Sequence, residues 1–85
     1  MKVKVLYFAS LREKIGKGAE EIDLPAGVAT LGALREHLVA CGGAAATALA
    51  KNRNVRMAVN QDMASASATI KAGDEVAFFP PVTGG

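Results

Sequence analysis

One amphipathic helical stretch lies between two pairs of strand-like segments, and this order constrains the fold more than any other feature. Leu31, Leu34 and Leu38 recur at helical spacing after Thr30, whose hydroxyl suits the N-terminal cap of a helix. Four segments carry the apolar pattern of strands: residues 2–8, 20–24, 55–59 and 75–79. A single helix covering one face of a mixed sheet satisfies this order, which predicts an α+β domain.

Within the α+β class the pattern favours a β-grasp, the ubiquitin-like architecture, in which one main helix plus short helices cover a mixed sheet. The alternative is a split βαβ, ferredoxin-like fold, which needs a second full helix before the last strand. Residues 63–69 are too few and too rich in serine and threonine to supply that helix. The 85 residues suffice for one domain. We expect it to span residues 1–79, with residues 80–85 as a flexible, extended tail.

The flanking segments give three local expectations. Residues 2–8 are apolar at most positions, so we expect this strand to be covered on both faces for most of its length. Ser10 and Glu13 have the spacing of a capping box, which predicts a short helix that Gly16 and Gly18 stop within two turns. Residues 44–51 favour another short helix by propensity.

Composition excludes several classes of protein. A net charge of +2 argues against an obligate nucleic-acid binder, and a hydrophobic content of 51% argues against a disordered chain, although 17 of those residues are alanine. No apolar run reaches the roughly 20 residues that span a bilayer. The single cysteine, Cys41, cannot form an intramolecular disulfide and fits a reducing compartment. We therefore expect a cytoplasmic protein that binds neither nucleic acid nor membrane.

Side chains suited to catalysis are scarce. His37 and Cys41 lie four residues apart and could form an activated thiolate, but no third group is placed to orient them. We interpret them as a surface histidine and a half-buried cysteine. Two ligands cannot close a tetrahedral metal site, so we predict no metal. Lys51, Arg53 and Arg56 form a basic cluster, which we interpret as a solvated turn rather than as a patch for an anionic partner.

The end of the chain is its most unusual segment. It consists of Pro80, Pro81, Val82, Thr83, Gly84 and Gly85. The two prolines stiffen an extended segment, and from Pro80 the tail spans roughly 20 Å at about 3.3 Å per residue. The two glycines lack side chains, so the terminal carboxylate could enter a channel too narrow for a Cβ. A frayed terminus is the alternative, but a diglycine behind a stiff spacer on a β-grasp pattern favours a presented carboxylate.

Four segments carry a resemblance to a known family: KVLYFASLRE at residues 4–13, Ala58–Gln61, Gly73–Ala77 and the terminal FFPPVTGG. Together they resemble the small subunit of molybdopterin synthase, a family of ubiquitin-like sulfur carriers. The resemblance implies that the chain is not an enzyme on its own. It implies that an adenylyltransferase related to ubiquitin-activating enzymes uses ATP to join AMP to the carboxylate of Gly85. A sulfur donor then converts this adenylate to a thiocarboxylate.

The resemblance also implies the partners. The tail would dock into the large subunit of molybdopterin synthase, as part of a heterotetramer. There two sulfurs pass to cyclic pyranopterin monophosphate and form molybdopterin, in the biosynthesis of the molybdenum cofactor. We expect Gly84, Thr83, Val82, Pro81 and Pro80 to thread into that subunit, which would supply the catalytic residues. We expect the carrier itself to bind no cofactor.

The docking surface follows from the predicted sheet, in which the first and last strands are neighbours. Phe8, Met63 and Phe79 are then candidates for an exposed apolar patch beside the tail, with ordinary core as the alternative. Arg12 is a candidate contact at the rim. Two other functions remain open: a sulfur carrier or modifier for another pathway, such as thiamine thiazole synthesis, tRNA thiolation or protein conjugation, and an interaction module with an incidental diglycine.

Overall fold

The computed structural model describes residues 1–50 and 54–81 of the chain, and within them three helices pack on one side of a five-stranded sheet. The elements are β1 (Lys2–Tyr7), α1 (Ala9–Ile15), β2 (Ala19–Asp23), α2 (Leu31–Ala40), α3 (Gly43–Ala48), β3 (Arg56–Val59), β4 (Asp62–Ala64) and β5 (Glu75–Phe79). The α+β prediction is confirmed, and α2 is the main helix, with two shorter ones beside it.

The strand order is β2-β1-β5-β3-β4. β1 pairs antiparallel with β2 and parallel with β5, and β3 pairs antiparallel with both β5 and β4. The first and last strands are therefore central neighbours, as a β-grasp requires. Residues 65–74, which connect β4 to β5, contain turns and one isolated bridge between Thr30 and Thr69 but no helix. The β-grasp prediction is confirmed, and the ferredoxin-like alternative fails for want of that helix.

The core lies between the sheet and the helices. Alternate residues of the two central strands point into it, and α2 contributes the leucine stripe. The most deeply buried side chains are Val3, Val5 and Tyr7 of β1, Val76 and Phe78 of β5, Leu31 and Leu34 of α2, and Leu49. The rings of Tyr7 and Phe78 stack with centroids 6.2 Å apart. This packing fixes which face of β5, the strand that precedes the tail, points into the core.

Local hydrogen bonds cap α2 and join it to α3. Thr30 caps α2 as predicted, since its Oγ1 accepts a hydrogen bond of 3.2 Å from the Ala33 N–H. Arg35 of α2 donates to the carbonyl oxygens of Leu49 and Ala50, each at 2.7 Å, at the carboxyl end of α3. These bonds satisfy carbonyls that a helix end leaves without intrahelical partners, so they tie the two helices together.

Two local predictions are wrong. The first strand is covered on one face only: Lys4 and Phe8 are exposed and Leu6 is half-buried on the other face. The capping box does not form, because β1 passes directly into α1 and the N-terminal cap is Phe8, which leaves Ser10 within the helix. The predicted end of α1 is confirmed, since Gly16 adopts φ +88° and its N–H donates to the Arg12 carbonyl.

In the described ranges, no helix has both the length and the apolar character needed to cross a membrane.

Candidate functional site

The side of the sheet that carries no helix, called here the outer face, is crossed by one row of apolar residues. Leu6 of β1 stands opposite Ala19 on one side and Ala77 on the other, and the register continues through Ala58 to Met63. These five residues, called the apolar row, occupy equivalent positions on all five strands. The apolar row therefore crosses the whole outer face without a polar side chain.

The row beyond it lies next to the start of the tail. Phe79 stands opposite Arg56 on β3, and the Phe8 N–H donates to the Phe78 carbonyl at 3.1 Å, which places Phe8 beside the end of β5. The backbone of Phe8 is extended, so its side chain continues the alternation of β1 onto the outer face. Phe79 is half-buried and Arg56 is exposed.

The structure places Phe8 and Met63 outside the core. Phe8 is 47% exposed and Met63 is 61% exposed, so the core alternative for these two side chains is wrong. They do not touch as a single cluster: β5 and β3 separate β1 from β4, a distance of about 14 Å at about 4.8 Å per strand. Phe79 and Ala77, which are half-buried, and Ala58, which is buried, lie between them. Together these five residues form an apolar band across the sheet that is most exposed at its two ends, Phe8 and Met63.

The opposite half of the outer face is charged. Lys4 stands opposite Glu21 and Glu75, and Lys2 stands opposite Asp23. The outer face is thus divided along the strands into a charged half, where β5 begins, and an apolar half, where β5 ends and the tail leaves the sheet. Partner surfaces with a dry centre and a polar rim show this kind of division.

The beginning of β5 is fixed by a network of side-chain hydrogen bonds around Asp74, which is buried. Its two carboxylate oxygens accept from the Lys71 N–H at 2.9 Å and from the Asn60 side-chain amide at 3.2 Å. Asn60 in turn accepts from the Glu75 N–H at 3.0 Å. The backbone hydrogen bond from Lys71, helped by Asn60, lowers the pKa of Asp74 against the opposing effect of burial. Two of the family-like segments, around Asn60 and around Asp74, therefore meet here.

A second network supports the end of β1 beneath Phe8. The Tyr7 hydroxyl donates to Glu20 at 2.7 Å, and Lys17 donates to the other Glu20 oxygen at 2.9 Å. Burial and the contact with Glu20 raise the pKa of Tyr7. Burial alone would raise the pKa of Glu20, but the hydrogen bonds from Tyr7 and Lys17 outweigh it and lower that pKa. Both groups therefore keep their ordinary neutral-pH charge states.

The tail begins where these supports end. Pro80 and Pro81 directly follow β5 and are half-buried, so the tail leaves from the apolar half of the outer face. Val82, Thr83, Gly84 and Gly85 lie outside the described residues. The roles assigned to them, and the boundary between domain and tail, stay predictions.

Arg12 lies one helical turn after Phe8, and its N–H donates to the Phe8 carbonyl at 3.4 Å. It is exposed on α1 and lies beside Gly18, where its Nε would be 3.0 Å from a Cβ added to that glycine. The depression that it lines is formed by α1 and the segment before β2. A role for Arg12 at the rim of a docking surface stays a prediction.

The remaining polar candidates are clarified by the structure. The His37 Nε2 and Cys41 Sγ atoms are 3.9 Å apart. Cys41 is exposed and His37 is half-buried, so the interpretation as a half-buried cysteine and a surface histidine is wrong. The helix α2 ends at Ala40, and Cys41 is its C-terminal cap. Among the described residues, no three His, Cys, Asp or Glu side chains are grouped so that they could hold a metal ion.

The interpretation of the basic cluster is wrong for one of its members. Arg56 lies in β3 on the outer face and not in a solvated turn, whereas Lys51 and Arg53 lie outside the described residues. Sequence reasoning also missed Leu6, Ala58 and Ala77 as parts of the apolar row. A period of two counted back from Phe8 and Phe79 would have found Leu6 and Ala77.

Comparison with known proteins identifies the family. Residues 5–85 match the ThiS family. The molybdopterin synthase sulfur carrier subunit of Haemophilus influenzae is 47% identical over 83 residues, covering 98% of this chain and 99% of that protein. The protein of the same name from Escherichia coli is 46% identical over 85 residues, with the same coverage.

Solved structures agree with the fold. A putative molybdopterin converting factor subunit 1 from Pyrococcus furiosus superposes with a TM-score of 0.73 at 34% identity, covering 96% of this chain and 99% of that one. Small archaeal modifier protein 1 of H. volcanii gives a TM-score of 0.75 at 29% identity, covering 95% and 98%. A complex of subunits 1 and 2 of the molybdopterin-converting factor from Helicobacter pylori contains a chain that gives a TM-score of 0.67 at 23% identity, with full coverage of both chains, which supports the fold alone.

The resemblance found from the tail and three other segments is therefore confirmed, and the chain belongs to the ThiS family.

Proposed function

We propose that this chain is the sulfur carrier subunit of a molybdopterin synthase. The observation that carries the proposal is the near-complete alignment with two bacterial proteins of that name at 46% and 47% identity. The scarcity of catalytic side chains fits this role, because the working atom of such a carrier is its terminal carboxylate.

The chemistry would take place at Gly85. A carboxylate oxygen attacks the α-phosphorus of ATP on an adenylyltransferase related to ubiquitin-activating enzymes, and pyrophosphate leaves. The mixed anhydride makes the carbonyl carbon a good electrophile. A donor that supplies sulfur at the oxidation level of sulfide then attacks that carbon, and AMP leaves. The resulting thiocarboxylate is a soft nucleophile that stays ionised near neutral pH.

The fold would present this group rather than act on it. β5 is held by parallel pairing with β1 and antiparallel pairing with β3, and the network around Asp74 fixes its beginning. Pro80 and Pro81 then carry the chain away from a rigid sheet in an extended direction. Val82 and Thr83 would add length, while Gly84 and Gly85 would pass through a channel too narrow for side chains.

The large subunit would cover the apolar half of the outer face, with Phe8, Met63 and Phe79 as contacts and Arg12 at the rim. An exposed apolar band on a small monomer marks a protein-binding surface. On this proposal the assembly is a heterotetramer, and the large subunit supplies the groups that bind the pterin and move protons. The carrier itself holds no cofactor, ATP being used by the activating enzyme, and its single cysteine suits the cytoplasm.

A second candidate function is a sulfur carrier or protein modifier for another pathway. The similarity to small archaeal modifier protein 1 favours it, because the tail chemistry of a modifier begins with the same adenylation. The two candidates differ in the acceptor: a pterin bound to a large subunit, or another molecule such as a thiazole precursor, a tRNA or a protein amine.

Reconstitution distinguishes them. The chain is treated with its activating enzyme, ATP and a sulfur donor, then mixed with the large subunit and cyclic pyranopterin monophosphate. We expect molybdopterin to form, and deletion of Gly85 to abolish its formation while the melting temperature is unchanged, since the deletion does not touch the core. Recovery of a thiazole synthase and no large subunit from the native host would refute the molybdopterin assignment.

A further inference from the structure

Arg56 is a charged residue on the apolar half of the outer face. It occupies the row of Phe8 and Phe79, directly beyond the apolar row, and its side chain is exposed. Neither of the ion pairs formed by described residues, Met1 with Asp23 and Lys17 with Glu20, includes it. A cation at this position is therefore free to meet a group that comes from outside the domain.

The acids of the outer face are too far along the strands to neutralise Arg56. Glu75 stands in the row of Lys4, four residues before Phe79 on β5, which corresponds to about 13 Å at about 3.3 Å per residue. That row already contains a lysine, and the row between it and Arg56 is entirely apolar. Arg56 is thus the one charged residue that the described strands place on the apolar half of this face.

A depression lies beside it. Arg56 and Met63 line a shallow hollow of about 430 Å³ at the edge of β3 and β4, together with Val55, Met57, Ala64 and Ser65. Its lining is slightly more apolar than polar and it is open to solvent, so a partner side chain placed in it would lose water once the partner covers the outer face. A partner that buried Arg56 without a counter-charge would lose affinity, because the guanidinium would give up its water with nothing in return. A carboxylate from the partner would compensate, since it can accept two parallel N–H bonds from a guanidinium.

We propose that Arg56 is a specificity-determining residue, and that the protein covering the outer face places a carboxylate side chain in this hollow beside it. The inference rests on the proposed function, which supplies that protein as the large subunit. It adds the chemical requirement that the partner's surface be apolar around one acidic side chain.

Binding of the large subunit from the same organism to four forms of the chain tests the proposal: wild type, Arg56→Leu, Arg56→Glu and Lys14→Glu. Lys14 is exposed on α1, away from the outer face, and its reversal changes the net charge by the same amount as Arg56→Glu. Thermal melts of all four check that they fold. Titration calorimetry at low and high salt gives the dissociation constants.

We expect Arg56→Leu to weaken binding roughly 30-fold and Arg56→Glu roughly 100-fold or more, because the partner's carboxylate is left buried without a cation or opposite a like charge. Lys14→Glu should stay within about 3-fold of wild type, and the affinity of wild type should fall more steeply with salt than that of Arg56→Leu. In sulfur transfer, KM for the carrier should rise while kcat is unchanged, because Arg56 does not reach the reacting atoms.

Equal or tighter binding by Arg56→Leu would overturn the proposal, because an arginine that merely lies on an apolar surface is improved by leucine. In that case wild type would still bind and transfer sulfur, so the proposed function would stand. Failure of wild type to bind the large subunit would instead refute the proposed function, and the assignment of Arg56 with it.

Discussion

Two methionines on adjacent strands offer a matched test of which face of the sheet is core and which is docking surface. Met57 of β3 is 8% exposed and belongs to the core, whereas Met63 of β4 is 61% exposed and ends the apolar row. Truncation to alanine removes the same atoms at both sites. Any difference in outcome therefore reports the surroundings and not the chemistry of the side chain.

The stability costs follow from burial. Met57→Ala leaves a cavity in packed core and should cost about 2–5 kcal/mol. Full burial of a methionine contributes about 1.5–3 kcal/mol, of which Met63 realises about two-fifths at its exposure of 61%, so Met63→Ala should cost about 1 kcal/mol. A domain of this size shifts its melting temperature by about 4–8 °C per kcal/mol, so Met57→Ala should lower it by at least about 8 °C.

Binding to the large subunit should show the opposite order. Met63→Ala should weaken binding at least 10-fold, roughly the loss of one well-packed interface side chain. Met57→Ala should weaken binding much less at temperatures where it is folded, because only 8% of Met57 is exposed. Urea denaturation gives the stabilities and calorimetry gives the affinities. Equal stability losses at the two sites would contradict the placement of Met63, and normal binding by Met63→Ala would contradict the docking surface.

Two further outcomes can be checked by denaturation of variants. Tyr7→Phe should cost about 1.5 kcal/mol near neutral pH, because Glu20 loses one donor but keeps Lys17. Because the pKa of Glu20 is lowered in the folded state, its ionised form adds stability above the carboxyl's unfolded pKa, and this stability is lost as pH falls through the folded pKa. The stabilities of wild type and Tyr7→Phe should therefore converge in acid. A difference in stability that persists in acid would contradict this account. Gln61→Gly should raise the free energy of unfolding by roughly 0.5–1 kcal/mol, because Gln61 is held at φ +72° in the turn between β3 and β4, a conformation that glycine adopts without strain. A lower melting temperature would instead show that the Gln61 side chain makes a stabilising contact.

The sequence was sufficient for the fold because its signals are local and agree with one another. The leucine stripe of α2, the cap at Thr30 and the alternation along β5 each specify one element, and only a β-grasp joins them in this order. The capping box at Ser10 and Glu13 failed because Phe8 occupies the cap position, so Ser10 already lies within α1. The Phe8 N–H donates to the Phe78 carbonyl, and the helix starts one residue later.

The docking surface was less accessible to sequence reasoning. Alternation divides a strand into two faces but does not say which face the helices cover, so Phe8 and Met63 could be core or surface until the sheet was assembled. Arg56 was misinterpreted as part of a turn although it lies within the predicted strand at residues 55–59. Its neighbour was not predictable in the same way, because the antiparallel register of β3 with β5 sets Arg56 opposite Phe79. That register is a tertiary property, and no pattern within residues 55–59 specifies it.

The measurement that tests the central claim most directly is the intact mass of the chain after incubation with its activating enzyme, ATP and a sulfur donor. We expect a gain equal to the exchange of one oxygen for sulfur, confined by fragmentation to Gly85 and missing from a variant that lacks Gly85 or carries one extra residue. An unchanged mass in the presence of a competent activating enzyme and donor would contradict the role of sulfur carrier.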